Sequence, residues 1–333
     1  MALARRPGRD RRRPGRRALA LTRGAYDPGM TPPRSPVAGF VRRFVTGVAI
    51  LAAALSAAGC AGGRGGLNDE GLAIRRQTLR VELEPDRLWS IPVYRAGEPS
   101  APDVIFVHGT PGSAAAWRRY LARPIDGLEM VAIDRPGFGQ STPRRALPSL
   151  AEQARAIEPL LPDADSPGPK PILVGHSLGG PIVARVAAQW PGRVGALVII
   201  AGSLDPALER VLFVQRLGAM FPVSSLLPSH LRVANRELIP LKRELTDLAG
   251  ALGRVTCPVV IVHARDDRLV PYANVAYMLG AFTNAAAVEV MTFDAGDHFL
   301  PWNHEASVRE AILRAASLAQ APVGAGDGAS SDP

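Results

Sequence analysis

The chain has 333 residues, 47% of them hydrophobic, enough for one large domain and a leader. Its net charge of +9 resembles a nucleic-acid signal, but residues 1–66 hold 13 Arg and two acids, a local +11. The remaining 26 basic and 28 acidic residues give −2, so the body has no basic face for phosphates and no nucleic-acid partner is expected.

Residues 1–36 are rich in Arg, Pro and Gly, lack periodicity and read as a disordered leader. Met30 offers a second translation start. In residues 37–60, Arg42-Arg43 precede an apolar run from Phe44 to Ala58 and then Gly59-Cys60. A charged start, an apolar stretch and small residues before a break make a secretory signal. With Gly47 inside it, the run is short for a transmembrane helix. Ala57-Ala58-Gly59-Cys60 resembles a bacterial lipoprotein box, with Ala57 where Leu is usual. That resemblance implies lipidation at Cys60, and hence an exported protein of the cell envelope anchored on a membrane surface. The alternatives are an uncleaved anchor helix and a twin-arginine signal, from which Arg-Arg-Phe-Val departs. If Cys60 is lipidated, Cys257 has no disulfide partner, and its place before a strand reads as a core thiol.

After a linker over 61–71, a domain is expected over 72–321, followed by a disordered Gly/Ser-rich tail over 322–333. Gln77–Glu84 and Leu88–Tyr94 read as an antiparallel entry pair, and Val104–Val107 and Met130–Ile133 as strands with a helix over Ala114–Leu121 between them. Leu150–Leu161 has helical spacing. Further strands are expected at Ile172–Val174, Ala196–Ile200, Val259–His263 and Val288–Thr292, with a helix over Pro181–Gln189. Strands alternating with helices give a mostly parallel sheet covered on both faces. Residues 205–250 interrupt the alternation and read as a small helical lid, with packing as scaffold the alternative.

Gly175-His176-Ser177-Leu178-Gly179 fits G-x-S-x-G with a strand before it and a helix after it. That context presents a serine hydroxyl on a sharp turn, above a helix N-terminus that favours negative charge. An acid and then a histidine should follow in the chain. Asp267 lies on the loop after Val259–His263, and His298 on the loop after Val288–Thr292.

These features resemble the α/β-hydrolase fold superfamily over residues 72–320. Four segments carry the resemblance: His108-Gly109-Thr110-Pro111-Gly112-Ser113, Asp134 to Ser141, the elbow at Ser177, and Gly296 to Leu300. It implies an eight-stranded, mostly parallel sheet with helices on both faces. It also implies a Ser177–Asp267–His298 triad, with the backbone N–H groups of Thr110 and Leu178 as oxyanion donors. The family's acid sits four residues before a proline, which maps to Asp267 before Pro271; Asp266 and Asp205 are the rivals. His108 and His176 read as structural, Asp134 as a loop tether and Asp297 as a loop carboxylate. Neither cofactor nor metal is expected, since H-E-x-x-H, a Cys cluster and a P-loop are all absent from the sequence. The implied activity is cleavage of a carboxylic ester or related small acyl substrate. Alternatives are a receptor-like protein binding a small apolar ligand, and a cofactor-free haloperoxidase or an aminopeptidase on the same triad.

Overall fold

The computed structural model describes residues 71–209 and 227–320. The leader, the Cys60 segment, the linker apart from Gly71, the tail and the first part of the expected lid lie outside the described residues. No helix among the described residues is long and apolar enough to cross a membrane.

Eight strands form one sheet: β1 (Arg75–Glu84), β2 (Arg87–Gly97), β3 (Asp103–Val107), β4 (Glu129–Ile133), β5 (Ile172–His176), β6 (Ala196–Ile200), β7 (Val259–Ala264) and β8 (Val288–Phe293). Their spatial order is β1-β2-β4-β3-β5-β6-β7-β8. β2 runs antiparallel to both β1 and β4, and all other pairings are parallel. Strands β4, β5, β6 and β7 are buried at every position. That is why they read as continuous apolar runs rather than alternating ones.

Alternate residues point to opposite faces and divide the core into two layers. Ile105, Leu173, Leu197, Ile199 and Ile261 pack with α2 (Leu150–Arg155), α3 (Gly179–Gln189), α5 (Leu241–Ala249) and α6 (Ala273–Ala281). Phe106, Val174, Val198, Ile200 and Val262 pack on the other face with α1 (Arg118–Ala122) and α8 (Glu305–Gln320). The ring of Phe106 lies 4.7 Å from that of Trp117 and 5.3 Å from that of Tyr120, which anchors the chain following the β3 loop.

Several expected boundaries shift. The helix expected over Ala114–Leu121 begins as a 3₁₀ turn over Ala114–Trp117, capped by Ser113, before α1. The helix expected over Leu150–Leu161 stops at Arg155, and a separate 3₁₀ turn covers Glu158–Leu160. Pro159 accounts for the break, because it has no N–H to donate to the carbonyl of Arg155 four residues earlier. The expected lid range also divides. Leu241, Leu245 and Leu248 of α5 are fully part of the main core, so α5 is scaffold. Helix α4 (Ser229–Leu238) instead packs Val233 and Ala234 against Phe138, on the loop after β4.

Candidate active site

Ser177 ends β5 and precedes α3 by one residue. Its φ of 54° lies in the left-handed region that favours glycine, so the turn is strained. The strain persists because the surroundings over-determine it. A Cβ on Gly175 would lie 2.4 Å from the Gly179 carbonyl oxygen, and one on Gly179 would lie 2.2 Å from the Val107 carbonyl oxygen. The backbone can approach this closely only with glycine at both positions. The Ser177 N–H donates to the Ile200 carbonyl at 2.9 Å, tying the elbow to β6.

His298 follows β8 and precedes the short helix α7 (Leu300–Asn303). Its Nδ1–H donates to Asp267 Oδ2 at 2.8 Å, which leaves Nε2 as the acceptor nitrogen. Asp267 is buried, and its other oxygen accepts the N–H groups of Leu269 and Val270 at 2.8 and 2.9 Å. Burial opposes ionisation of this carboxyl, but the His298 hydrogen bond and charge and the two backbone donors outweigh it and lower the pKa. The rivals are placed elsewhere: Asp266 is exposed, and Asp205 accepts the Ala207 N–H at 2.8 Å. Asp297 accepts from the Phe299 N–H at 2.8 Å and from Asn303 Nδ2, which holds α7 in place.

The neighbouring histidines are structural in their contacts. His176 Nε2–H donates to the His298 carbonyl at 2.9 Å, and its ring lies 4.8 Å from that of His298. Burial, followed by the nearness of His298, lowers its pKa to about 3. His263 Nε2–H donates to the Val270 carbonyl at 3.0 Å and so braces the loop that carries Asp267.

The loop expected to carry an oxyanion donor follows β3. Asp134 tethers it by accepting the Ala114 N–H at 2.8 Å while also accepting the Gln140 N–H at 2.9 Å. His108 Nε2 accepts the Arg135 N–H at 3.1 Å, so Nδ1 carries the proton and donates to the Gly109 carbonyl at 2.7 Å. Burial and the Arg135 charge keep His108 neutral, well below its ordinary pKa.

Arg135, Gln153 and Glu237 were not singled out by the sequence reading. Arg135 and Glu237 form an ion pair at 3.1 Å with both side chains 1% exposed. A signal for Glu237 was available. It stands four residues after Val233, on the helix face that packs inward, where an unpaired carboxylate would be costly.

Ser177, His298, His176, His108, Thr110, Phe299 and Trp302 all line one pocket, together with glycines, Pro111 and Ala116. Its free volume is about 20 Å³, room for a water molecule. The walls carry a hydroxyl, imidazoles, aromatic faces and loop backbone, a set suited to acyl transfer by geometry and residue type. Among the described residues no cluster of His, Cys, Asp or Glu is arranged to hold a metal ion.

A family model described as alpha/beta hydrolase fold matches residues 102–222. A 2-hydroxy-6-oxononadienedioate/2-hydroxy-6-oxononatrienedioate hydrolase of Dechloromonas aromatica is 27% identical over 63% of this chain and 85% of its own length. A pimeloyl-acyl-carrier-protein methyl ester esterase of Aeromonas salmonicida is 25% identical over 57% of this chain and 85% of its own length. Among solved structures, a haloalkane dehalogenase from Bradyrhizobium elkani matches with TM-score 0.56 at 20% identity, over 73% of this chain and 99% of that one. The matched segment and the eight-stranded, mostly parallel sheet give the chain an α/β-hydrolase fold. The dehalogenase match speaks to fold alone, because this fold hosts many chemistries.

Proposed function

We propose that the protein is a serine hydrolase that cleaves a carboxylic ester, or a related acyl substrate, through an acyl-enzyme. The observation that carries this reading is the 2.8 Å hydrogen bond from His298 Nδ1 to Asp267, with His298 and Ser177 both lining one pocket. In this reading Ser177 Oγ attacks the substrate carbonyl while His298 Nε2 takes its proton. Asp267 holds the imidazole tautomer and stabilises the imidazolium. The N–H groups of Thr110 and Leu178 donate to the developing oxyanion, each lowering the barrier by about 3 kcal/mol. His298 then protonates the leaving alcohol, and a water activated by the same nitrogen releases the acid. Serine at the elbow disfavours chemistry that needs a carboxylate nucleophile there.

The relatives named as dienedioate hydrolases raise a dianionic substrate as a second possibility. Among the described residues, those lining the pocket include no Arg or Lys. The test is labelling with a fluorophosphonate probe, followed by a p-nitrophenyl ester panel of graded acyl length. Wild type is expected to label and turn over, and Ser177→Ala to do neither. Equal labelling of the two would refute the assignment. A receptor-like protein would bind ligands without Ser177-dependent turnover.

The proposal extends to the leader. The precursor is exported, and Cys60 is lipidated and holds the domain on a membrane surface of the bacterial cell envelope. Support comes from Arg42-Arg43, the apolar run and the small residues before Cys60. Mass spectrometry of the mature N-terminus should find a lipidated Cys60; an intact chain beginning at Met1 or Met30 would overturn it.

A further inference from the structure

We infer that Glu237, reaching in from α4, is a positioning residue for the oxyanion site, and that it acts through Arg135 and Thr110 on the Gly109–Thr110 peptide. The inference rests on the hydrolase reading, because it assigns to that peptide's N–H the role of oxyanion donor.

The geometry is as follows. A peptide unit is planar, so fixing its carbonyl oxygen also fixes the direction of its N–H on the other side. The Gly109 carbonyl accepts from Arg135 Nη2 at 2.9 Å and from His108 Nδ1 at 2.7 Å. The N–H of that same peptide belongs to Thr110. A guanidinium on the carbonyl also polarises the peptide and strengthens its N–H as a donor.

Arg135 is in turn held by Glu237. Nη1 donates to Oε1 at 3.1 Å and Nη2 to Oε2 at 3.2 Å, a two-pronged contact. Glu237 Oε2 also accepts the Thr110 hydroxyl at 2.8 Å, so one carboxylate grips the loop on both sides of the peptide. Gln153 completes the frame by donating to Glu237 Oε1 at 2.8 Å and accepting from Arg135 at 2.6 Å. The carboxylate comes from a helix 102 positions beyond Arg135 in the chain. Withdrawing α4 would leave the buried Arg135 guanidinium without its carboxylate, so α4 is clamped to the loop through Glu237.

The pair of variants that isolates this is Thr110→Val and Thr110→Ser, both of which keep the backbone N–H. Valine loses the bond to Glu237 and should lower kcat about 10-fold with KM within about twofold, since loss of alignment falls on the transition state. Serine should restore wild-type turnover. Glu237→Gln should lower kcat by about 10- to 100-fold, and the double variant Thr110→Val/Glu237→Gln should be no worse than Glu237→Gln alone, because both act on one loop. Hydrogen exchange of the full-length protein should be faster over residues 108–113 in Glu237→Gln than in wild type.

If Glu237→Gln melts earlier but keeps wild-type kcat well below its melting temperature, the residue is only structural and the inference falls. Independent, multiplying effects in the double variant would also overturn it, as would unchanged exchange over 108–113. Wild type that neither labels at Ser177 nor turns over would defeat the hydrolase reading separately. The exchange comparison would then still decide whether Glu237 holds the loop.

Discussion

The Ser177 elbow and the loop proposed to supply an oxyanion donor both line one small pocket, yet they are fixed by different means. The elbow is held by main-chain sterics: Gly175 and Gly179 let backbone approach backbone, and Ser177 sits at φ 54° with its N–H tied to β6. The oxyanion loop is held by buried side chains, namely His108, Asp134, Arg135, Gln153 and Glu237, all of them 3% exposed or less. A sterically fixed turn depends on residues within a few positions. A loop fixed by side chains depends on partners anywhere in the chain, and it carries the cost of desolvating each one.

The largest expected effect lies at neither of these two segments but at Asp267, the carboxylate bonded to His298. Asp267→Asn would leave His298 with the wrong tautomer and should lower kcat by a factor approaching ~10⁴. Asp266→Asn and Asp205→Asn should keep most of the turnover at similar melting temperatures. If the Asp205 variant alone loses activity, the acid follows β6 instead.

The next effect separates stability from chemistry on the loop wall. Arg135→Met strands Glu237 without its cation and should cost about 3–5 kcal/mol, measured by urea unfolding. Adding Glu237→Leu removes the stranded charge, and much of that stability should return. Turnover should stay low in both, since neither restores the Arg135 donor and the Gly109 carbonyl keeps only its bond from His108. Recovery of kcat along with stability would mean that the network serves folding alone.

On the elbow wall, Gly179→Ala tests sterics without charge. Its Cβ would lie 2.2 Å from the Val107 carbonyl oxygen, so the turn must shift, at a cost of about 1–3 kcal/mol. Ser177 labelling should slow with it. A variant with wild-type stability and labelling rate would show that the turn relaxes freely.

This contrast explains what the sequence could and could not reveal. Ser177, Asp267 and His298 each follow a β-branched or apolar run, so their positions at strand ends were readable locally. The two-layer sheet was readable because β4 to β7 are continuous apolar stretches. The break at Arg155 was missed because helical spacing in Leu150–Leu161 masked the effect of Pro159. The role of α5 was left open between lid and scaffold because Leu241, Leu245 and Leu248 would suit a lid or a core equally well. The Arg135–Glu237 pair was missed for a different reason. Nothing local in Asp134 to Ser141 specifies a carboxylate more than a hundred positions away, and the fold alone brings the two together.

The smallest expected effect concerns the histidines behind both walls. Burial depresses His108, His176 and His263, so each is neutral in the folded protein around neutral pH. In the unfolded chain they titrate near ~6.5. Below that pH the unfolded chain binds protons that the folded protein refuses, so stability is present above about pH 6.5 and is lost as pH falls. Asp103 works the other way. Burial, opposed by Arg95 and reinforced by nearby Glu129, raises its pKa to about 6, so the folded protein takes up that proton first. One carboxyl against three histidines leaves the histidines ahead. Going from pH 7 to about 5.5, His176 should cost ~1.2 kcal/mol and Asp103 should return ~0.8. His108 and His263 add to the loss, so a net fall in stability is expected in urea unfolding. A stability that holds level or rises over that interval would mean that these imidazoles gain protons within the folded protein, and that the neutral tautomers drawn here for the elbow and loop walls are wrong.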